Sequence, residues 1–87
     1  MRIDLLSLAS DRRKGRVQGV TSVCSAHPIV LRAALRFAAQ NGVTALIEAT
    51  CNQVNHQGGY TGMQPADFAA LVRQIAVEES CPESLIL

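Results

Sequence analysis

The chain has no tryptophan, one tyrosine and two phenylalanines, so aromatic residues make up only 3% of its 87 positions. A surface that stacks nucleobases needs more rings than that. Charge of one sign is also missing: eight Lys+Arg stand against seven Asp+Glu, a formal net charge of +1. Neither nucleic acid nor an anionic lipid surface is therefore an expected partner. No apolar run approaches the roughly 20 residues that span a bilayer. Asp4 and Asp11 fall among the first short apolar stretches, where a secretory signal carries a basic segment leading into an apolar one, so no such signal is expected. The three cysteines, Cys24, Cys51 and Cys81, are odd in number and widely spread. They make no disulfide framework, and a reducing cytoplasm is the expected setting. What the chain does have is 48% hydrophobic and 17% charged residues, enough apolar surface for one small folded domain at most.

The apolar pattern alternates between two periods. Residues 1–14 predict a helix from the recurrence of Ile3, Leu5, Leu6, Leu8 and Ala9. Arg12, Arg13 and Lys14 fall in its last turn, where cations offset the carbonyl end of the helix dipole, and Gly15 stops it. That placement accounts for the basic cluster better than a phosphate-binding patch does. Residues 19–25 (GVTSVCS) are β-branched and short, as in a strand. Pro28 suits the first turn of a second helix with an apolar stripe of Val30, Ala33, Ala34, Phe37 and Ala38 and with Arg32 and Arg36 on the other face. Asn41-Gly42 supplies a left-handed cap. Residues 44–49 (TALIEA) are too few for a helix and too continuously apolar for a half-exposed strand, so they predict a buried parallel strand. A long loop follows over residues 50–64. Pro65 then opens a third helix with Phe68, Leu71, Val72, Ile75 and Ala76 on one side and Asp67 near its N-terminus. Residues 84–87 (SLIL) predict the start of another strand.

Alternation of this kind implies an α/β fold with parallel strands and right-handed helical crossovers. Polar chemistry in such folds gathers at the carboxyl ends of the strands. Here those ends carry Cys24-Ser25-Ala26-His27 and Glu48-Ala49-Thr50-Cys51-Asn52-Gln53. Glu48 is the sharpest single residue. It leaves an apolar layer as a carboxylate, either as a site acid or base at the rim or as a hydrogen-bond anchor between strands, and both readings stand. Cys24, His27, Cys51 and His56 are residue types that zinc accepts. Neither pair forms a compact knuckle, and small cysteines are common core residues, so no metal site is assigned. A Cys24–His27 nucleophilic pair lacks an identifiable orienting group. The segment containing Gly58, Gly59, Thr61 and Gly62 has the backbone freedom to approach a phosphate, but it lacks both the Lys-Ser/Thr ending of a P-loop and the GxGxxG spacing.

Three linked motifs carry a resemblance that covers nearly the whole chain. They are Ser22-Val23-Cys24-Ser25-Ala26-His27-Pro28, then Leu46-Ile47-Glu48-Ala49-Thr50 with Asn52-Gln53-Val54, then Gly58-Gly59-Tyr60-Thr61-Gly62-Met63 with Pro65-Ala66-Asp67-Phe68. Together they resemble the accessory, non-catalytic subunit of class II D-tagatose-1,6-bisphosphate aldolase, the GatZ/KbaZ type. The resemblance implies a TIM (β/α)8 barrel of the class II aldolase superfamily. Such a barrel needs eight strands and about 250 residues. Residues 1–87 are accordingly expected to be its N-terminal part: a leading helix, two complete strand–helix units and the start of a third strand, about three β/α units in all.

By the same resemblance the chain supports the activity and stability of a separate catalytic aldolase subunit in galactitol or amino-galactose catabolism. It is not expected to be catalytic alone. Zinc belongs to that partner, with no cofactor in this chain. The implied rim or substrate-site residues are Ser25, His27, Glu48, Asn52 and Gln53, and the implied phosphate loop is Gly58, Gly59, Thr61 and Gly62. Some family members carry an older label as tagatose-6-phosphate kinases, and no kinase motif is visible here. Three departures from the family pattern stand out: Cys51 in place of Ser, His56-Gln57 in place of Gln-Phe, and Gln64 where Thr usually caps the third helix. Two other readings remain: an autonomous class II aldolase-like enzyme acting on a sugar phosphate, and a gene fragment without independent function.

Overall fold

A computed structural model describes residues 3–87. Helix α1 spans Leu5–Arg13, strand β1 Ser22–Cys24, helix α2 Pro28–Asn41, strand β2 Leu46–Glu48 and helix α3 Pro65–Glu78, before a 3-10 turn at Glu83–Leu85. Strands β1 and β2 are parallel, with Ser22 opposite Leu46, Val23 opposite Ile47 and Cys24 opposite Glu48. Beyond the 3-10 turn, Ile86 bridges Ala45 in the same parallel sense. The Leu87 amide donates to the Ala45 carbonyl at 2.9 Å, and the Ile47 amide to the Leu87 carbonyl at 2.9 Å. The α/β class and the parallel pairing follow the sequence pattern, and the third strand joins β2 from the Leu85 carbonyl, which accepts the Ala45 amide at 2.8 Å, one residue into the expected 84–87.

The first helix is shorter than expected. Of the residues expected to be helical, Met1 and Arg2 lie outside the described residues. Asp4 is the N-cap, its carboxylate accepting the Leu6 amide at 3.0 Å, so the helix starts at Leu5. No residue of α1 is buried, and Leu6 is 93% exposed. Its apolar pattern is therefore not a core stripe. Ile3, ahead of the helix, is the buried residue of this segment, and its amide donates to Thr44 Oγ1 at 2.6 Å.

The core lies between α2, α3 and one face of the short sheet. It consists of Leu31, Leu35 and Ala38 from α2, Val72, Ile75 and Ala76 from α3, and Ala45 and Cys81. The α3 face is the expected one, with Phe68 and Leu71 packed at its margin. The α2 face is rotated from the expected stripe, since Leu31 and Leu35 are fully buried whereas Phe37 is 61% exposed. Each buried leucine stabilises the fold by about 1.5–3 kcal/mol relative to exposure. Phe37 instead joins Ala34, Val20 and Val23 along a shallow apolar cleft of about 380 Å³.

Arg32 and Arg36 run along the surface toward the end of α3, still in contact with water. Arg36 donates to both oxygens of Glu79, at 2.8 and 2.9 Å, while Arg32 reaches Glu78 and Glu79. The two acidic residues sit at the C-terminal end of α3, where carboxylates oppose the dipole. The last turn of α3 contains no cation of its own, so α2 supplies them. Hydrogen bonds from Arg36 and then Arg32 pull the Glu79 carboxyl down to about 2.

Side chains alternate across the sheet. Ile47 packs on the helical layer, which puts Cys24 and Glu48 together on the opposite face. That face carries no helix among the described residues. The molecule is accordingly a slab of 43 × 26 × 16 Å with a radius of gyration of 14.1 Å, against roughly 12 Å for a closed domain of this length. The described residues form no closed barrel.

Candidate functional site

The carboxyl ends of β1 and β2 open on the same edge of the slab because the strands are parallel. Ser25 and His27 follow β1 directly. His27 is the N-cap of α2, with Nδ1 accepting the Ile29 amide at 3.1 Å. The His27 amide in turn donates to Ser25 Oγ at 3.1 Å. With Pro28 at the first helical position, this end of α2 is fixed by residues that suit it.

Glu48 ends β2, exposed, and its carboxylate makes no hydrogen bond or ion pair among the described residues. It is not the interstrand anchor that one reading offered. The next turn is held by Gln53, whose Oε1 accepts the Thr50 amide at 2.7 Å and lies 3.9 Å from Cys24 Sγ. Gln53 thus touches the ends of both strands. Asn52 contributes its carbonyl, which accepts the Tyr60 amide at 2.9 Å.

The loop after β2 is much better ordered than its composition suggests. Asn55 organises it: Oδ1 accepts the amides of Gln57 at 2.8 Å and Gly59 at 3.1 Å, and Nδ2 donates to the Cys51 carbonyl at 2.7 Å. The Thr61 hydroxyl donates to the Gln53 carbonyl at 2.6 Å and accepts the Met63 amide. Gly59 has φ +60, and a β-carbon there would lie 2.5 Å from the Gln53 carbonyl oxygen. Only glycine fits that close approach. The amides of Gly58, Gly59, Thr61 and Gly62 all donate within the loop. Their visible role is therefore to fix the loop's shape, with no amide left over to cradle an anion.

Sequence reasoning passed over Asn55 and gave Tyr60 no role beyond its place in the glycine-loop motif. Asn55 was legible in principle, since Asn shortly before paired glycines is a turn former. Tyr60 is the chain's single tyrosine. It stands 75% exposed on this braced loop. At the start of α3, Gln64 brings no hydroxyl cap, but Asp67 accepts its amide at 2.9 Å and the Gln64 side chain donates to the His56 carbonyl at 2.9 Å. The cap expected to be lost is thus made good by neighbours.

Ser25, His27, Gln53, Tyr60 and Thr61 line one open cleft of about 390 Å³. Among the described residues, no three His, Cys, Asp or Glu side chains converge to hold a metal ion. All three cysteines are unpaired, and burial pushes the Cys81 thiol up. No helix among the described residues is long and apolar enough to cross a membrane.

Residues 5–87 match the D-tagatose-1,6-bisphosphate aldolase subunit GatZ/KbaZ-like family. The chain belongs to that family. It is 61% identical over 83 residues to a D-tagatose 6-phosphate 4-epimerase from Agrobacterium fabrum, a match that takes in 95% of this chain and 20% of the relative. Among solved structures it resembles a probable tagatose 6 phosphate kinase from Sinorhizobium meliloti 1021, with a TM-score of 0.75 and 51% identity over 80% of this chain and 18% of that one. This GatZ/KbaZ-like chain therefore spans about a fifth of the length of the relatives it matches. The match to the Agrobacterium protein leaves out so few residues that the rim from Ser25 to Gly62 lies inside it.

Proposed function

We propose that the chain supplies the first strands of a (β/α)8 barrel and, at their carboxyl ends, part of the mouth that binds a tagatose phosphate. The observation that carries this reading is the parallel pairing of β1 with β2, which gathers Ser25, His27, Glu48 and Gln53 at one edge. Functional groups of parallel α/β barrels stand at that edge. The cytoplasm is the proposed setting, in keeping with three unpaired cysteines.

Two roles fit that mouth, and both act on the same bond. Tagatose 1,6-bisphosphate aldolase breaks C3–C4 of the sugar. A C4 epimerase of tagatose 6-phosphate can invert C4 by breaking and remaking that bond. In the cleavage a base takes the proton of the C4 hydroxyl, which becomes the aldehyde of glyceraldehyde 3-phosphate, and the C3–C4 electron pair stays on the three-carbon ketone as its enediolate. Re-addition to the other face of the aldehyde, with return of the proton, gives the C4 epimer, fructose 6-phosphate. Glu48 is the group we assign to that proton, since its carboxylate is exposed and without a partner.

The family name supports the first role, accessory to a zinc-bearing catalytic subunit, in which this chain stabilises the partner and binds the sugar phosphate. The 61% identity to the Agrobacterium protein supports the second, epimerisation in its own right. One experiment separates them. The purified chain is incubated with tagatose 6-phosphate, and separately with tagatose 1,6-bisphosphate plus a class II aldolase catalytic subunit. Fructose 6-phosphate formed in the first vessel establishes the epimerase role. Faster or longer-lived cleavage in the second establishes the accessory role. If the chain binds no tagatose phosphate at millimolar concentration, both roles fail.

A further inference from the structure

The cleft beside α2 has an unusual hydrogen-bonding balance. Gln53 Oε1 accepts the Thr50 amide, and an acceptor is required at that position because the backbone N–H can only donate. The side-chain amide is therefore fixed with its NH2 group on the other side, and that group has no partner among the described residues. His27 is settled in the same manner. Its Nδ1 accepts the Ile29 amide, so in the neutral ring the proton is on Nε2, which also donates to nothing. Ser25 Oγ accepts the His27 amide, and its own hydroxyl proton is unused.

All three residues line one cleft with Tyr60 and Thr61. The Thr61 hydroxyl is already engaged on both its donor and acceptor sides. The Tyr60 phenol adds a fourth unused donor. No carboxylate lines the cleft; Glu48 belongs to the neighbouring strand end. A recess whose free groups can all donate, two of them (the Gln53 NH2 and His27 Nε2–H) as donors only, and whose wall carries no negative charge favours a ligand that accepts many hydrogen bonds. The N-terminal end of the 14-residue helix α2 opens on the same recess and adds potential of the same sign.

We propose that this cleft binds the phosphate of a phosphate monoester through Ser25 Oγ, His27 Nε2 and the Gln53 amide, with Tyr60 as the outer wall. The anion is held by side chains, since the amides of the glycine loop are consumed in bracing the loop itself. That the monoester is a sugar phosphate rests on the reading proposed above. The preference for phosphate rests on the donor set alone.

The test is an NMR titration of the full 87-residue chain, following the Gln53 side-chain amide and the His27 and Ser25 signals. Inorganic phosphate, tagatose 6-phosphate and unphosphorylated tagatose are the three probes. Inorganic phosphate and tagatose 6-phosphate shift those signals, and tagatose does so at least tenfold more weakly. Gln53→Glu keeps the acceptor for Thr50 but replaces the NH2 donor with negative charge, and it weakens phosphate binding at least tenfold. His27→Asn keeps an N-cap acceptor, removes the Nε2 proton and weakens binding several-fold; it serves if the first variant fails to fold. Unshifted signals, or wild-type affinity in a folded variant, overturn the proposal. If inorganic phosphate binds here and tagatose 6-phosphate binds no more tightly, the cleft stands and the sugar-phosphate reading fails. If tagatose 6-phosphate binds without moving these signals, the cleft assignment fails and the wider reading survives.

Discussion

Gly59 and Gln53 approach so closely that a β-carbon on the glycine would lie 2.5 Å from the Gln53 carbonyl oxygen. The obstacle is backbone, so no side-chain rotation relieves it. The same carbonyl accepts the Thr61 hydroxyl, and the loop and the end of β2 are in effect one piece.

Gly59→Ala is therefore expected to destabilise the chain by about 2 kcal/mol or more, from the left-handed backbone and the forced shift together. Urea unfolding reads the total. Hydrogen exchange localises it, with the Tyr60 and Thr61 amides losing protection first.

Asn55→Ala removes the acceptor shared by the amides of Gln57 and Gly59 and the donor to the Cys51 carbonyl. The expected cost is about 1–3 kcal/mol, the penalty for leaving such groups without partners. Asn55→Asp retains the acceptors and should recover part of that loss. Equal destabilisation by the two changes would show that the acceptor contacts contribute little.

In the core, Leu35→Ala is expected to cost about 2–5 kcal/mol, as for other fully buried leucines. Phe37→Ala should cost under about 1 kcal/mol in this chain despite its larger side chain, because its ring is mostly in water. Chemical denaturation of the two variants side by side checks the ranking. A reversal would mean that the apolar stripe read from the sequence, and not Leu31 and Leu35, faces α3.

The pH dependence follows from Glu79. Its carboxyl is lowered from an ordinary value of 4.5 to about 2 by the arginine hydrogen bonds, so the folded chain binds that proton less readily than the unfolded chain. The stabilisation is complete above 4.5 and is lost as pH falls toward 2. Wild type should be more stable than Glu79→Gln at pH 7, and the difference should shrink through that window. A stability gap that stays constant from pH 7 to pH 2 would remove Glu79 from the account.

Element order, parallel pairing and the α3 face were legible in the sequence because each rests on local periodicity. Pro28, Pro65 and Gly42 marked their boundaries for reasons internal to one turn of chain. The α2 face was not legible. Its apolar residues run almost all round the helix, and only the position of α3 decides which of them are buried. The partners of Arg32 and Arg36 lie more than 40 positions away, beyond any helical spacing rule. At the candidate site the rim residues could be named from strand ends and family motifs. Their division of labour could not: that Thr61 spends its hydroxyl on the loop, that Gln53 braces the turn with its oxygen and keeps its NH2 free, and that Ser25 and His27 keep free donors depends on hydrogen bonds that composition does not encode.

The clamp from α2 to the end of α3 has a kinetic consequence. Arg36 and Glu79 are separated by 43 residues, so their union must wait until β2 and the braced loop have brought α3 back alongside α2. Loop-closure entropy makes such long-range contacts late. Weakening the clamp should then leave the refolding rate nearly unchanged and accelerate unfolding, which makes these surface charges a brake on the chain's exit from the native state.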